Sequence, residues 1–121
     1  MPTLAYRPPI PAEQLQAALD EILGLLASQG VPVRVLGNGI SEAIVETGNT
    51  LQNILGNLPV SEVILVPGYG IAMLVLPDQT CLLVRGRNIV RTTVNTAMNY
   101  LLNKLIEDAL YYSPEQVSTK L

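Results

Sequence analysis

Between residues 60 and 85 the apolar positions run almost without interruption. They form three short blocks, Val60 to Val66, Ile71 to Leu76 and Thr80 to Val84, separated by Pro67-Gly68-Tyr69-Gly70 and Pro77-Asp78-Gln79. Blocks this short, joined by turn residues, predict consecutive antiparallel strands. A sheet with one wet face alternates apolar and polar residues. These strands hardly alternate, so both faces of the sheet are expected to be covered.

Helical spacing appears on either side of this block. Ala12 to Ser28 places Leu15, Ala18, Leu19, Ile22, Leu23 and Leu26 at intervals of three and four. Pro11 suits its first turn and Gly30 its stop. Val31 to Leu36 alternates as a strand does, and Gly37-Asn38-Gly39 makes a turn. A second helix is predicted from Ile40 to Leu58, although Gly48 and Gly56 each weaken it by ~1 kcal/mol relative to Ala. A rival reading makes Ile40 to Val45 a strand and starts a shorter helix near Asn49. The last element is predicted as one long helix from Asn88 to Tyr112, ended by Ser113-Pro114.

The expected fold is a single α+β domain over residues 1–121. It has a mainly antiparallel sheet of four or five strands and three helices, in the order (β)αβαβββα. The optional first strand is Thr3 to Tyr6, inside a proline-rich arm at 1–11. Residues 113–121 read as a flexible tail. The last helix carries two adjacent apolar rows, Val90/Val94/Ala97/Leu101 beside Ile89/Met98/Leu102/Leu105. Two rows exceed what one sheet face needs, so Val90, Val94, Met98, Leu101, Leu102 and Leu105 are the expected oligomer interface, most simply in a two-fold dimer.

Composition narrows the function. Apolar residues make up 49% and charged residues 14%, well below the roughly 25% charge of an average domain. Such a surface fits an interface. The net charge of -3 argues against a dedicated nucleic-acid binder, whose affinity rests on basic contacts to phosphate. The chain has no His, the usual general base near neutral pH and the commonest metal ligand. Its single Cys lies in an apolar strand. The expectation is therefore a non-enzymatic protein with no cofactor and no metal. No apolar run approaches the ~20 residues of a membrane-spanning helix. The single Cys excludes an internal disulfide and fits a reduced setting, so the expected location is the cytoplasm.

Three features carry candidate chemistry. Glu42 and Glu46 lie four apart, where one helix face allows them to share a cation, but a solvated helix face is the preferred reading because nothing else supplies the missing ligands of a closed site. Arg85-Gly86-Arg87-Asn88, with Arg91 beyond, is the one basic cluster. Read as a strand entering a helix, it directs free amides and guanidiniums the same way and forms a candidate anion or partner site. A solvated turn whose Arg stems cover apolar surface is the alternative. Val63 to Gly70 resembles the phosphate turn of the nucleotide-binding domain of proton-pumping transhydrogenases. That mechanism needs a helix after the glycines, and here a strand is predicted.

Two further resemblances bear on function. Ser61-Glu-Val-Ile-Leu65, the Gly68/Gly70 turn, Cys81-Leu-Leu-Val84 and Asn88-Ile-Val-Arg91 leading into Ala97 and Leu101 resemble the second half of the roadblock/dynein light chain family. That resemblance implies a homodimeric scaffold, possible regulation of a small GTPase, and a two-stranded hairpin after the first helix. Gln29-Gly-Val31 with Gly37-Asn-Gly-Ile40-Ser41-Glu-Ala43-Ile44 is similar to the Alba family of archaeal chromatin proteins and implies nucleic-acid association, although most of that family's basic residues are missing. A virion or shell subunit is a third reading, from the low charge and high apolar content alone.

Overall fold

A computed structural model describes residues 9–112, with side chains as far as Glu107. The predicted strand at Thr3 to Tyr6 and the tail at 113–121 lie outside the described residues. Helix α1 spans Ala12–Ser28, strand β1 Val33–Val35, helix α2 Ala43–Leu55 and strand β2 Glu62–Val66. A single 3-10 turn at Pro67–Tyr69 leads into β3, Ile71–Val75; β4 is Thr80–Arg85, β5 Asn88–Thr93 and α3 Val94–Tyr112. Among the described residues the fold is α+β, with three helices and one mixed five-stranded sheet in the spatial order β1-β2-β3-β4-β5. Only β1 runs parallel to its neighbour, because α2 carries the chain back before β2 begins. The other three pairings are antiparallel.

Local chemistry explains most boundaries. Pro11 is the N-cap of α1, and its carbonyl accepts from the Gln14 and Leu15 amides. At the other end Gly30 adopts φ 69, while the Val31 amide reaches back to the Leu26 carbonyl at 2.9 Å. This is a glycine-terminated helix stop of the Schellman type. Helix α2 is shorter than expected, and no strand forms at Ile40 to Val45. The Ser41 amide donates instead to the Pro67 carbonyl, which ties the helix entry to the glycine turn. The hairpin implied by the roadblock resemblance is therefore absent: between α1 and α2 there is one three-residue strand.

The largest correction concerns Asn88 to Thr93. The sequence pattern assigns these residues to the final helix, but they form β5, and α3 begins at Val94. The segment Asn-Ile-Val-Arg-Thr-Thr is rich in β-branched side chains, which lose χ1 freedom in a helix and fit a pleated surface. Gly86 and Arg87 make a two-residue loop, with Gly86 at φ 61 and Arg85 opposite Asn88. Positive φ at the first loop position matches the tight turns that suit strand twist. Apolar residues at 89, 90 and 94 satisfy either period, so spacing alone misassigns the segment.

Both sheet faces carry helices. On one face α2 packs Ile44, Leu51 and Leu55 against Val63, Leu65, Ala72, Leu74, Leu82 and Val84, with Leu19, Ile22 and Leu26 of α1 joining the same core. On the other, Ala97 and Leu101 of α3 meet Ile64, Val66, Ile71, Met73 and Cys81. Alternate residues of each strand thus enter two separate apolar layers, which is why β2 to β4 show no polar alternation.

Candidate interaction surface

The hairpin of β4 and β5 is held from below by α2. The fully buried Thr47 hydroxyl donates to the Gly70 carbonyl at 2.6 Å and accepts from the Gly86 amide at 2.7 Å. The Thr50 hydroxyl donates to the Gly86 carbonyl at 2.6 Å. One helix face therefore positions two turns at the same end of the sheet. The Gly68/Gly70 turn is a packing device. A Cβ on Gly70 would meet the Ala43 Cβ at 2.6 Å, and one on Gly68 the Asn38 carbonyl oxygen at 2.5 Å. A strand follows these glycines, so they present no helix N-terminus to a phosphate.

The structure separates the basic cluster. Arg85, Gly86, Arg87 and Asn88 form a hairpin corner rather than a helix entry, so the expected fan of free amides is absent. Arg87 pairs with Glu46 at 3.2 Å, and Arg91 approaches Asp78 at 3.7 Å on the α2 face of the sheet. Arg85 points to the α3 face, where its Nε donates to the Tyr69 carbonyl at 2.9 Å. Glu42 and Glu46 do not share a site either: Glu42 accepts from the Ile10 amide, while Glu46 holds Arg87. No group of three His, Cys, Asp or Glu that could hold a metal occurs among the described residues. Thr80 donates to Asp78 through its hydroxyl and its amide, and these bonds, with a smaller contribution from Arg91, hold that carboxyl below its usual pKa. Burial raises the Cys81 thiol and keeps it protonated.

The expected interface is also divided. Leu101 is fully buried against the sheet, and Val94, Met98 and Leu105 pack partly buried on the same core. They are intramolecular contacts. Val90 and Leu102 remain open to solvent at 56% and 45% exposure, and Val90 belongs to β5 rather than α3. Ile89 and Ile106 are exposed as well.

The two sheet edges differ. β1 has three residues, follows Pro32 and carries the Arg34–Glu62 ion pair at 2.8 Å. Short length, proline and charge are the usual guards against edge pairing. β5 has six residues in unbroken register with β4, with neither proline nor lysine, and its one charge is turned to Asp78. The closing pair Arg85–Asn88 of a two-residue hairpin exchanges both hydrogen bonds, so Asn88, Val90 and Thr92 address β4. Ile89 and Arg91 turn their backbone N–H and C=O groups outward.

Beside this edge lies a groove of about 390 Å³ on the α3 face, whose lining includes Ile71, Leu83, Arg85, Val90, Thr96 and Tyr100. It exists because α3 crosses the sheet obliquely. Its first amide bonds to Gln79 in the β3–β4 turn, whereas Lys104 and Leu105 lie over Tyr69 and Gly37. Sequence reasoning missed Tyr69, Tyr100 and Lys104. Tyr100 and Lys104 are four apart on a helix, a spacing that brings a cation to a ring. Their meeting with Tyr69 follows only from the fold. No helix among the described residues is long and apolar enough to cross a membrane. Among known proteins no family model matches this chain, and no characterised protein or solved structure is significantly similar to it.

Proposed function

We propose that this protein is a non-enzymatic interaction module that assembles with a second copy of itself through β5 and presents the assembled sheet as a scaffold to a further protein partner. The supporting observation is the unguarded β5 edge, set against the guarded β1 edge at the other end of the same sheet. A chain without His has few routes to acid–base chemistry near neutral pH, and a scaffold requires none.

Charge selects the pairing register. A two-fold axis through Val90 places Val90 opposite its own copy, Ile89 opposite Arg91, Asn88 opposite Thr92 and Arg87 opposite Thr93. Outward backbone groups of Ile89 and Arg91 then bond to each other across the axis. Moving the axis to Arg91 sets two arginines face to face, and moving it to Ile89 sets Arg87 against Arg91. Like charges directly opposite are destabilising. The Val90 register avoids both clashes and joins two five-stranded sheets into one. Nucleic-acid association gains no comparable support, because Arg87 and Arg91 are already paired with carboxylates and Arg85 faces the opposite side of the sheet from Arg91.

Sedimentation equilibrium tests the reading. The wild-type chain is expected at twice its 13.0 kDa mass in the micromolar range. Val90→Lys is expected to be a folded monomer, since Val90 is exposed in the single chain and two lysines at the axis would lie about 5 Å apart at Cβ. A monomeric wild type, or a dimer indifferent to Val90→Lys, refutes it.

A further inference from the structure

The cations of this chain are not equally satisfied. Among the described residues, Arg34, Arg87 and Arg91 each have a carboxylate partner. Arg85 and Lys104 have no carboxylate of the described residues within ion-pair distance, and these two stand together around Tyr69. Arg85 donates to the Tyr69 carbonyl. The Tyr69 hydroxyl donates to the Lys104 carbonyl at 2.9 Å. The Lys104 ammonium lies 6.0 Å from the Tyr69 ring centre and 5.7 Å from that of Tyr100. Arg85 and Tyr100 are also walls of the apolar groove. An apolar trough with two carboxylate-free cations beside it has one complementary chemistry.

We infer that the groove is a binding site for an amphipathic carboxylic acid, with the apolar tail on Leu83, Val90 and Ile71 and the carboxylate at the end held by Arg85 and Lys104. The volume of about 390 Å³ falls in the range of small-molecule sites, which are mostly apolar with a few polar groups that fix orientation. Asn88, Thr92 and Thr96, which also line the groove, supply those groups. Guanidinium binds carboxylate through charge-assisted, often bidentate bonds, and Lys104 adds a point charge. The groove opens on the face of the sheet while β5 pairs by its edge, so this site does not depend on self-association.

Titration of the full chain with octanoate, octylammonium and acetate, followed by amide chemical shifts, tests the inference. Octanoate is expected to saturate, with shifts centred on Leu83, Val90, Thr92 and Tyr100. Octylammonium and acetate, which lack the right charge or the tail, are expected not to saturate. Arg85→Gln should weaken octanoate about tenfold, and Arg85→Lys less; a native spectrum of each variant establishes that it folds. Lys104→Gln should weaken octanoate to a smaller degree. The inference is overturned by octanoate shifts away from the groove, by octylammonium binding equally well, or by Arg85→Gln binding within twofold of wild type. Because the readout is shifts at the groove and not mass, its failure is separable from failure of the dimer.

Discussion

Thr47 is the single side chain on which two turns depend, and Thr47→Val isolates that role. Valine keeps the volume, the β-branch and nearly the helix propensity of threonine. What disappears is the hydroxyl, with its bonds to the Gly70 carbonyl at 2.6 Å and the Gly86 amide at 2.7 Å. Thr47 is fully buried, so water cannot replace the lost oxygen without opening the α2 contact. Each buried backbone group left unpaired costs about 1–3 kcal/mol. Two such groups sharing one partner give an expected loss of about 2–4 kcal/mol. For a chain of this size that lowers Tm by roughly 6–15 °C. Urea unfolding followed by circular dichroism measures the loss, and hydrogen exchange should show the Gly86 amide losing protection selectively. Thr47→Ser keeps the hydroxyl and gives up one methyl, so it should cost about 1 kcal/mol. A Thr47→Val protein within 0.5 kcal/mol of wild type, or a Thr47→Ser protein as damaged as Thr47→Val, refutes the reasoning.

Other expectations follow from the same contacts. Leu101→Ala should cost about 3 kcal/mol in urea melts because it empties a fully buried site, whereas Leu102→Ala, exposed on α3, should change stability by less than about 0.5 kcal/mol. Gly70→Ala should cost at least about 2 kcal/mol, from φ 66 together with the 2.6 Å approach to Ala43; adding Ala43→Gly should recover part of the loss, and no recovery would assign the whole cost to the backbone angle. Asp78 has a depressed folded pKa, chiefly from the Thr80 bonds. Its stabilising contribution is therefore present above the unfolded carboxyl pKa of about 4 and lost as pH falls through the folded value. Asp78→Asn should be less stable than wild type at pH 7, with the difference shrinking in acid; a difference that stays constant down to pH 2 contradicts the assignment.

Several elements were legible from neighbouring residues alone. The apolar stripe from Leu15 to Leu26, with Pro11 before it and Gly30 after it, specifies α1 because capping and periodicity act within a few residues. The three apolar blocks between 60 and 85 specify β2, β3 and β4 for the same reason, and their lack of alternation foretold that both faces would be covered, though not that helices of this chain would cover them. The arginine cluster was legible as a cluster but not as a site. Three positions close together in the chain were sent to a turn and to two opposite faces of the sheet, since successive strand residues alternate sides. The interface residues divided for a related reason: spacing identifies an apolar row but does not say whether a neighbouring helix or the chain's own sheet will cover it.

The amino-acid sequence by itself determined the α+β class, the aliphatic double-layered core and the scarcity of groups for acid–base chemistry, because composition and short-range periodicity are properties of the chain at every stage of folding. Tertiary structure alone decided that Asn88 to Thr93 is an edge strand, that Thr47 bridges two distant turns, and that Arg85 and Lys104 gather around Tyr69 beside an apolar groove. Each of these depends on register between segments far apart in the chain. Strand pairing and helix docking set that register through contacts that no local window contains.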